Sequence, residues 1–148
     1  MIWPQTVPLS AGKSPANGIR LYDDDQQTTL KQGLKIYRDG RLLLNERLKL
    51  TPDNNEVLNA PAGFRNHPVH GLLVAGPFAQ APDEDSMKTL QALCESQLAG
   101  VSMNGQFLTV RYLGDCSEKA RLLLTEFWAV IRPLLMQRPA CAPRIWAT

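Results

Sequence analysis

The sequence has few cysteines and no marked excess of either charge. Its three cysteines, Cys94, Cys116 and Cys141, form neither an even disulfide framework nor a C-x-x-C pair. The 16 basic and 14 acidic residues give a net charge of +2 and are largely interspersed, which argues against nucleic acid or an anionic membrane as the partner. The cysteine count therefore argues against a disulfide-stabilised scaffold, and the charge balance argues against a nucleic-acid-binding protein.

Long apolar runs are also absent. The most apolar stretch, near residues 71–78, is far shorter than the roughly 20 residues that a transmembrane helix needs. The first residues lack the basic start and the apolar stretch of a secretory signal. Together these absences predict a cytoplasmic protein without a membrane span.

The common catalytic motifs are missing as well. The glycines form neither a dinucleotide fingerprint nor a phosphate-binding loop, and neither G-x-S-x-G nor H-E-x-x-H occurs. Cys116 is a candidate nucleophile because the N-terminus of a helix lowers a thiol pKa. His67 or His70 would have to act as its base, so a small cysteine hydrolase stays open as an alternative.

The same two histidines are candidate metal ligands. His67 and His70 lie three residues apart beside Pro68, and imidazole suits nickel and zinc. Without a neighbouring cluster of cysteines or carboxylates, two ordinary loop histidines are the simpler interpretation.

The start of the chain differs in composition from the rest. Residues 1–32 carry prolines, glycines and an acidic run at 23–25, without a sustained apolar period. We predict a poorly structured segment over 1–32 and an ordered region over 33–148. With 148 residues, 44% hydrophobic and 20% charged, the chain can fold as one domain.

Two β-hairpins are predicted. Residues 34–50 surround Asp39-Gly40, a sequence typical of a two-residue type I′ turn, and residues 101–113 surround Asn104-Gly105. The second arm of the first hairpin has a mainly apolar face, formed by Leu42, Leu44, Glu46, Leu48 and Leu50. If that face is buried, the Glu46 carboxylate needs a partner or a water-lined passage. The alternative is an exposed arm at a sheet edge.

One more strand and two amphipathic helices complete the pattern. A strand is expected over 69–78, and helices begin at Asp83 and Asp115. Asp115 and Glu118 form a variant of the capping box, and Pro133 should kink or end the second helix near Ile131. The expected apolar faces contain Met87, Leu90, Leu93, Cys94 and Leu98, and Ala120, Leu123, Leu124, Phe127, Trp128, Ile131, Leu134 and Leu135. We predict an α+β fold, rich in antiparallel strands, with two amphipathic helices in its C-terminal half.

Several segments, taken in order, are similar to one family. They comprise residues 34–48, 67–74, 100–102 and 108–115, and the most specific is the end of the chain, with W-x-x-x-R-P at Trp128, Arg132 and Pro133, followed by P-R-I-W at Pro143, Arg144, Ile145 and Trp146. Over roughly residues 28–148 the chain resembles the UreD (UreH) urease accessory proteins. Full-length members carry a long β-rich N-terminal portion, so we expect this chain to be truncated or shortened.

The resemblance implies a function that composition does not show. UreD proteins act as non-catalytic scaffolds, or chaperones, for nickel insertion into urease, together with UreF and the GTPase UreG. Partners would be UreF, UreG and urease apoprotein, with nickel in transit and no stably bound cofactor. A stand-alone interaction domain without a nickel role is a further alternative.

Candidate site residues follow from this resemblance. Glu46, His67 and His70 are candidates for lining a transient nickel path. Partner-binding or structural roles are expected for Trp128, Arg132, Pro133, Arg144 and Trp146. In this hypothesis Trp128, Arg144 and Trp146 hold the C-terminal helix and tail against the sheet, and Arg132 satisfies carbonyl groups at the helix end.

Overall fold

The computed structural model describes residues 2–8, 30–51 and 56–141. In chain order the elements are β1 (Ile2–Pro8), β2 (Leu30–Arg38), β3 (Arg41–Leu50), α1 (Glu56–Asn59), β4 (Val69–Ala75), α2 (Glu84–Cys94), β5 (Leu98–Asn104), β6 (Phe107–Gly114) and α3 (Ser117–Met136). The chain forms two compact units. The larger unit comprises Met1–Val7 and Val69–Thr148, and the smaller unit comprises Pro8–Pro68.

A sheet of four described strands forms the larger unit, in the order β1-β4-β6-β5. Strands β4 and β6 pair antiparallel with Leu73 opposite Val110, and β5 pairs antiparallel with β6 with Val101 opposite Val110. Helix α3 packs on β4 and β6, and α2 packs on β5 and α3. Antiparallel sheets combined with helices confirm the predicted α+β class.

The core of the larger unit lies between this sheet and the helices. Strand β4 is buried on both faces, because consecutive residues Leu72, Leu73 and Val74 are all buried, which accounts for its unbroken apolar sequence. The buried core residues are Val69, Leu73, Ala75, Phe78, Leu90, Leu108, Val110, Tyr112, Ala120, Leu123, Leu124, Phe127, Trp128 and Ile131.

Helix α3 differs from expectation at both ends. Its N-cap is Cys116, which makes no side-chain capping bond, so the helix begins one residue later than the predicted cap at Asp115. Glu118 instead pairs with Arg121, with 2.6 Å between Oε1 and Nη2. The helix also continues through Pro133 to Met136, where Leu135 packs against the core. Leu134, expected on the apolar stripe, is 39% exposed.

Helix α2 begins as predicted. Asp83 is its N-cap, and its Oδ1 accepts the Ser86 backbone N–H at 2.8 Å. Leu90 is buried, and Met87, Leu93 and Cys94 pack against the core. The one error on this apolar face is Leu98, which lies in β5 and is exposed.

The first hairpin is confirmed and contains an irregularity. Asp39 (φ 50°) and Gly40 (φ 74°) both have positive φ, as a type I′ turn requires. A β-bulge interrupts the register, so that Ile36 lies opposite Leu44 and Tyr37 opposite Leu42. Leu42 therefore shares the face of Tyr37, and its predicted place beside Leu44 is wrong.

The second hairpin turns one residue later than predicted. Asn104 pairs with Phe107, which leaves Gly105 and Gln106 as the loop. Only Gly105 of these two has a positive φ, at 58°, and glycine at the first loop position is typical of a type II′ turn.

Within the predicted N-terminal segment, residues 2–8 form strand β1 next to β4, and residues 30–32 lie in β2. Prolines at positions 4 and 8 argued against a strand, but β1 lies at the end of the strand order, and proline is tolerated in such edge strands. The rest of the predicted segment, up to residue 29, lies outside the described residues, and the division between 1–32 and 33–148 stays a prediction. None of the helices among the described residues is long and apolar enough to span a membrane.

Candidate functional site

Trp128 and Arg132 form a pair on helix α3. Four residues separate them, so they lie one turn apart on the same helix face. The indole of Trp128 is buried, and the guanidinium carbon of Arg132 lies 5.0 Å from the ring centroid. This is the geometry of a cation–π contact. Within the described part of the chain, the buried Nε of Arg132 has no hydrogen-bond partner.

The C-terminus of α3 is capped by a backbone hydrogen bond. Gln137 adopts a left-handed conformation (φ 53°, ψ 33°), and its N–H donates to the Pro133 carbonyl at 2.9 Å. Such a residue satisfies a carbonyl that the helix would otherwise leave open. The predicted role of Arg132 at the helix end is therefore taken by Gln137, because the helix continues for four residues beyond Arg132.

Glu46 lies in the middle of β3, opposite Leu34. Its face of the hairpin is the more buried one: Leu44 and Leu50 are buried, while Glu46 and Leu48 are half-buried. The sequence left open whether Glu46 is buried or exposed. In the structure its carboxylate is partly shielded from water, on an apolar strand face.

His67 and His70 lie on either side of the boundary between the two compact units. His67 precedes β4, and its backbone N–H donates to the Phe64 carbonyl at 2.9 Å. His70 lies in β4 opposite Leu113. Both side chains are half-buried.

The described residues contain no group of three His, Cys, Asp or Glu side chains that could hold a metal ion. The nickel path along Glu46, His67 and His70 stays a prediction, since a path for transient cargo requires no such cluster.

The cysteines are all free thiols. Cys94 is half-buried, its Sγ lies 3.7 Å from the Leu90 carbonyl oxygen, and burial raises the pKa of its thiol. Cys94 thus packs against the core, on the apolar helix face where it was expected. Cys116 is half-buried at the start of α3, and its pairing with His67 or His70 in a hydrolase stays a prediction.

Comparison with known proteins decides the family. The family model described as UreD urease accessory protein matches residues 20–147. The chain belongs to the UreD family. Curated relatives named urease accessory protein UreD include that of Marinomonas sp. strain MWYL1, 34% identical over 142 residues. Those of Methylobacillus flagellatus and Pseudomonas aeruginosa strain PAO1 are 35% identical over 120 residues and 37% identical over 116 residues.

The chain spans less than half of the length of these UreD relatives. The three alignments cover 90%, 80% and 78% of this chain, but only 44%, 41% and 40% of the respective relatives. The recognised C-terminal signature is described in part: Trp128, Arg132 and Pro133 lie in α3, whereas Arg144 and Trp146 lie outside the described residues. The docking of the UreD tail through these two residues stays a prediction.

Gly114 lies in the UreD-like segment at residues 108–115 and packs against Tyr112. Gly114 lies opposite Val69 at the end of β6, and a Cβ atom there would overlap the ring and hydroxyl of Tyr112. Tyr112 is buried, and burial raises the pKa of its phenol. A side chain at position 114 would therefore force the Tyr112 ring to move.

One surface of this UreD-family chain was not predicted from its sequence. Lys31, Lys35, Arg47 and Lys49 lie on the same side of the β2–β3 hairpin, and all four are exposed. We call this surface, defined by these four residues, the basic face. The net charge of the whole chain, +2, does not reveal this local concentration of basic residues. Part of the signal was present in the predicted hairpin, where Lys35 lies on the first arm and Arg47 and Lys49 lie two residues apart on the second.

Proposed function

We propose that this chain takes part in urease maturation, as a non-catalytic scaffold or chaperone for nickel insertion together with UreF and UreG. The observation that supports this is the family match over residues 20–147, with relatives named urease accessory protein UreD. The partners in this proposal are UreF, UreG and urease apoprotein. Nickel is cargo in transit, and no cofactor is bound stably.

The described fold is suited to a scaffold. Helix α3 covers β4 and β6 with a continuous buried face, which gives a packed body whose outer surfaces can hold partners in fixed positions. The carboxylate of Glu46 and the imidazoles of His67 and His70 are donors that suit a nickel ion in passage. We place the protein in the cytoplasm, a compartment in which its free thiols would remain reduced.

Restoration of urease activity is the decisive test. The chain would be expressed in urease-positive cells whose own UreD gene is deleted, with and without added nickel. We expect nickel-dependent urease activity to return. Full-length UreD is the positive control, since this chain spans less than half of its relatives. Lack of activity, with the chain present at the level of the full-length control, would contradict a role in nickel insertion.

Docking is tested separately from delivery. The tagged chain would be co-expressed with UreF, UreG and the urease subunits and then purified in one affinity step. We expect UreF and the urease subunits to co-purify. A chain that captures neither would refute the scaffold, whereas capture without activation would assign docking to this chain and delivery to the longer relatives.

A variant of Cys116 separates the proposal from a cysteine hydrolase. Because a scaffold does not need a nucleophile, Cys116→Ala should leave both co-purification and urease activation unchanged. Loss of activation by a folded Cys116→Ala chain would instead favour chemistry at this thiol.

A further inference from the structure

The basic face concentrates charge that the whole chain does not have. Residues 30–50 contain six basic residues and two acidic ones, a net charge of +4, whereas the whole chain carries +2. Of the two acids, Asp39 lies in the turn beside Arg38, with 3.9 Å between Oδ2 and Nε. Glu46 lies on the opposite, more buried side of the hairpin. The basic face itself therefore contains no acidic residue.

Two lysines of the basic face lie across the hairpin from each other. Lys31 is directly opposite Lys49, and like charges in directly opposed positions do not favour strand pairing. Lysines on the outside of a hairpin can prevent edge-to-edge aggregation. That role does not explain the apolar residues at the other end of the same side.

The turn end of this side carries an exposed apolar pair. Tyr37 is 57% exposed and Leu42, opposite it, is 44% exposed. The β-bulge between Ile36 and Tyr37 brings Leu42 to this side, and bulges are a common means of re-aiming a side chain. An exposed tyrosine and leucine beside cations have the composition of a protein interface, with an aromatic anchor and a polar surround.

We propose that the basic face, with Tyr37 and Leu42 at its end, docks an acidic segment of a protein partner that carries an apolar anchor. Residues on one side of a strand repeat about every 7 Å, so carboxylates on a regular segment can meet Lys35 and Arg47 together. A single exposed aromatic offers little stacking for a nucleic acid. Two apolar side chains are too few to hold the hairpin in a membrane.

The test uses a defined acidic peptide as the probe. It is a fluorescein-labelled peptide of about 14 residues, with glutamates at alternate positions and Leu-Phe at one end; a second peptide has glutamine in place of each glutamate. The fluorescence anisotropy of the labelled peptide is measured as the whole chain is added, at about 50 and 300 mM salt, because screening weakens contacts between exposed charges. We expect binding of the acidic peptide only, and weaker binding at the higher salt.

Matched variants locate the binding surface. Lys35→Glu with Arg47→Glu should weaken binding by about tenfold or more. Lys119→Glu with Arg138→Glu changes the net charge equally at exposed positions elsewhere and should change binding by less than about twofold. Tyr37→Ser with Leu42→Ser should weaken binding several-fold while leaving its salt dependence unchanged, because it removes the anchor and no charge.

Three outcomes would overturn the proposal: no binding of the acidic peptide by the unmodified chain, equal loss in both charge-reversal variants, or tighter binding of oligo-dT or phosphatidylserine vesicles that is lost in the Lys35/Arg47 variant. Circular dichroism and urea unfolding verify that each variant is folded. If the glutamate variant does not fold, Lys35→Gln with Arg47→Gln replaces it and should show a smaller loss. Because the assay contains no urease component, it tests this surface independently of the proposed role in urease maturation.

Discussion

Thr109 is a buried polar residue in the sheet core. It lies on β6 with 1% of its surface exposed, and within the described part of the chain its Oγ1 has no hydrogen-bond partner. A buried hydroxyl without a partner costs about 1–3 kcal/mol, while valine has nearly the same shape. Thr109→Val should therefore raise the free energy of unfolding by about 1 kcal/mol, measured as a higher urea midpoint with an unchanged m-value.

Thr125 is the matched control for this change. Its Oγ1 donates to the Arg121 carbonyl at 2.8 Å, and the residue is half-buried on α3. Because this hydroxyl is satisfied, Thr125→Val should bring no gain in stability. Equal stabilisation by both variants would show that valine is generally favourable here, and that the missing partner of Thr109 is irrelevant.

Substitutions of Arg132 and Trp128 measure how much their cation–π contact contributes to the free energy of unfolding. The guanidinium lies 5.0 Å from the ring centroid, and a partly desolvated cation–π contact contributes about 1 kcal/mol. Arg132→Met retains the apolar part of the side chain and removes the charge. In a double-mutant cycle with Trp128→Leu, urea unfolding should show a coupling energy of about 1 kcal/mol. A coupling near zero would mean that the ring only packs and the charge contributes nothing.

At the scale of elements, the N-terminus of α2 gives a pH-dependent prediction. Hydrogen bonds to the side chain and then the backbone of Ser86 lower the pKa of Asp83 below its ordinary value. A lowered folded-state pKa stabilises the fold above the unfolded pKa of about 3.9, and this contribution is lost as the pH falls through the folded value. Asp83→Asn retains the acceptor without the charge, whereas Asp83→Ala loses both.

The measurement compares urea midpoints of the three chains. At neutral pH we expect unmodified Asp83 to be the most stable and Asp83→Ala the least. As the pH falls through the lowered folded-state pKa of Asp83, the difference between Asp83 and Asp83→Asn should close, while the alanine variant remains the least stable. A difference between Asp83 and Asp83→Asn that is independent of pH would contradict the assignment of Asp83 as a charged cap.

The sequence predicted correctly those features that depend only on neighbouring residues. Asp39-Gly40 specified a type I′ turn because both residues tolerate positive φ, and the apolar period of α3 identified its buried face. Tertiary context decided the other cases. The bulge moves Leu42 to the outer side. Helix α3 continues past Pro133, with Leu135 packed against the core. Neither the position of the bulge nor the continuation of the helix can be read from the neighbouring residues alone.

The candidate site was predictable to a smaller extent. The W-x-x-x-R-P sequence revealed the family, and its spacing places Arg132 over Trp128. The basic face was not found, because it depends on the register that brings Lys31 opposite Lys49. Spacing along one strand indicates which residues share a side, but only the pairing of two strands shows how their charges combine.

At the scale of the whole molecule, stability and function must be separated. Leu124 is 3% exposed, whereas Leu122 on the same helix is 49% exposed. Leu124→Ala should lower the free energy of unfolding by about 2–5 kcal/mol, and Leu122→Ala by no more than about 0.5 kcal/mol. In the complementation assay, Leu124→Ala should reduce urease activation in proportion to the amount of folded chain. That pair calibrates how far a purely structural defect lowers activity.

Glu46 provides the contrasting case. Glu46→Gln preserves the size of the side chain and a hydrogen-bonding group at a half-buried position, so the free energy of unfolding should change by less than about 1 kcal/mol. The substitution removes the anionic oxygen that would bind nickel in passage. We therefore expect lower nickel-dependent urease activation at an unchanged amount of folded chain, measured by immunoblot and urea midpoint, with a smaller defect at high nickel. Glu126→Gln, at an exposed position on α3, is the matched control. Activation by Glu46→Gln equal to that of Glu126→Gln at limiting nickel would remove Glu46 from the nickel path and leave only His67 and His70 as its candidates.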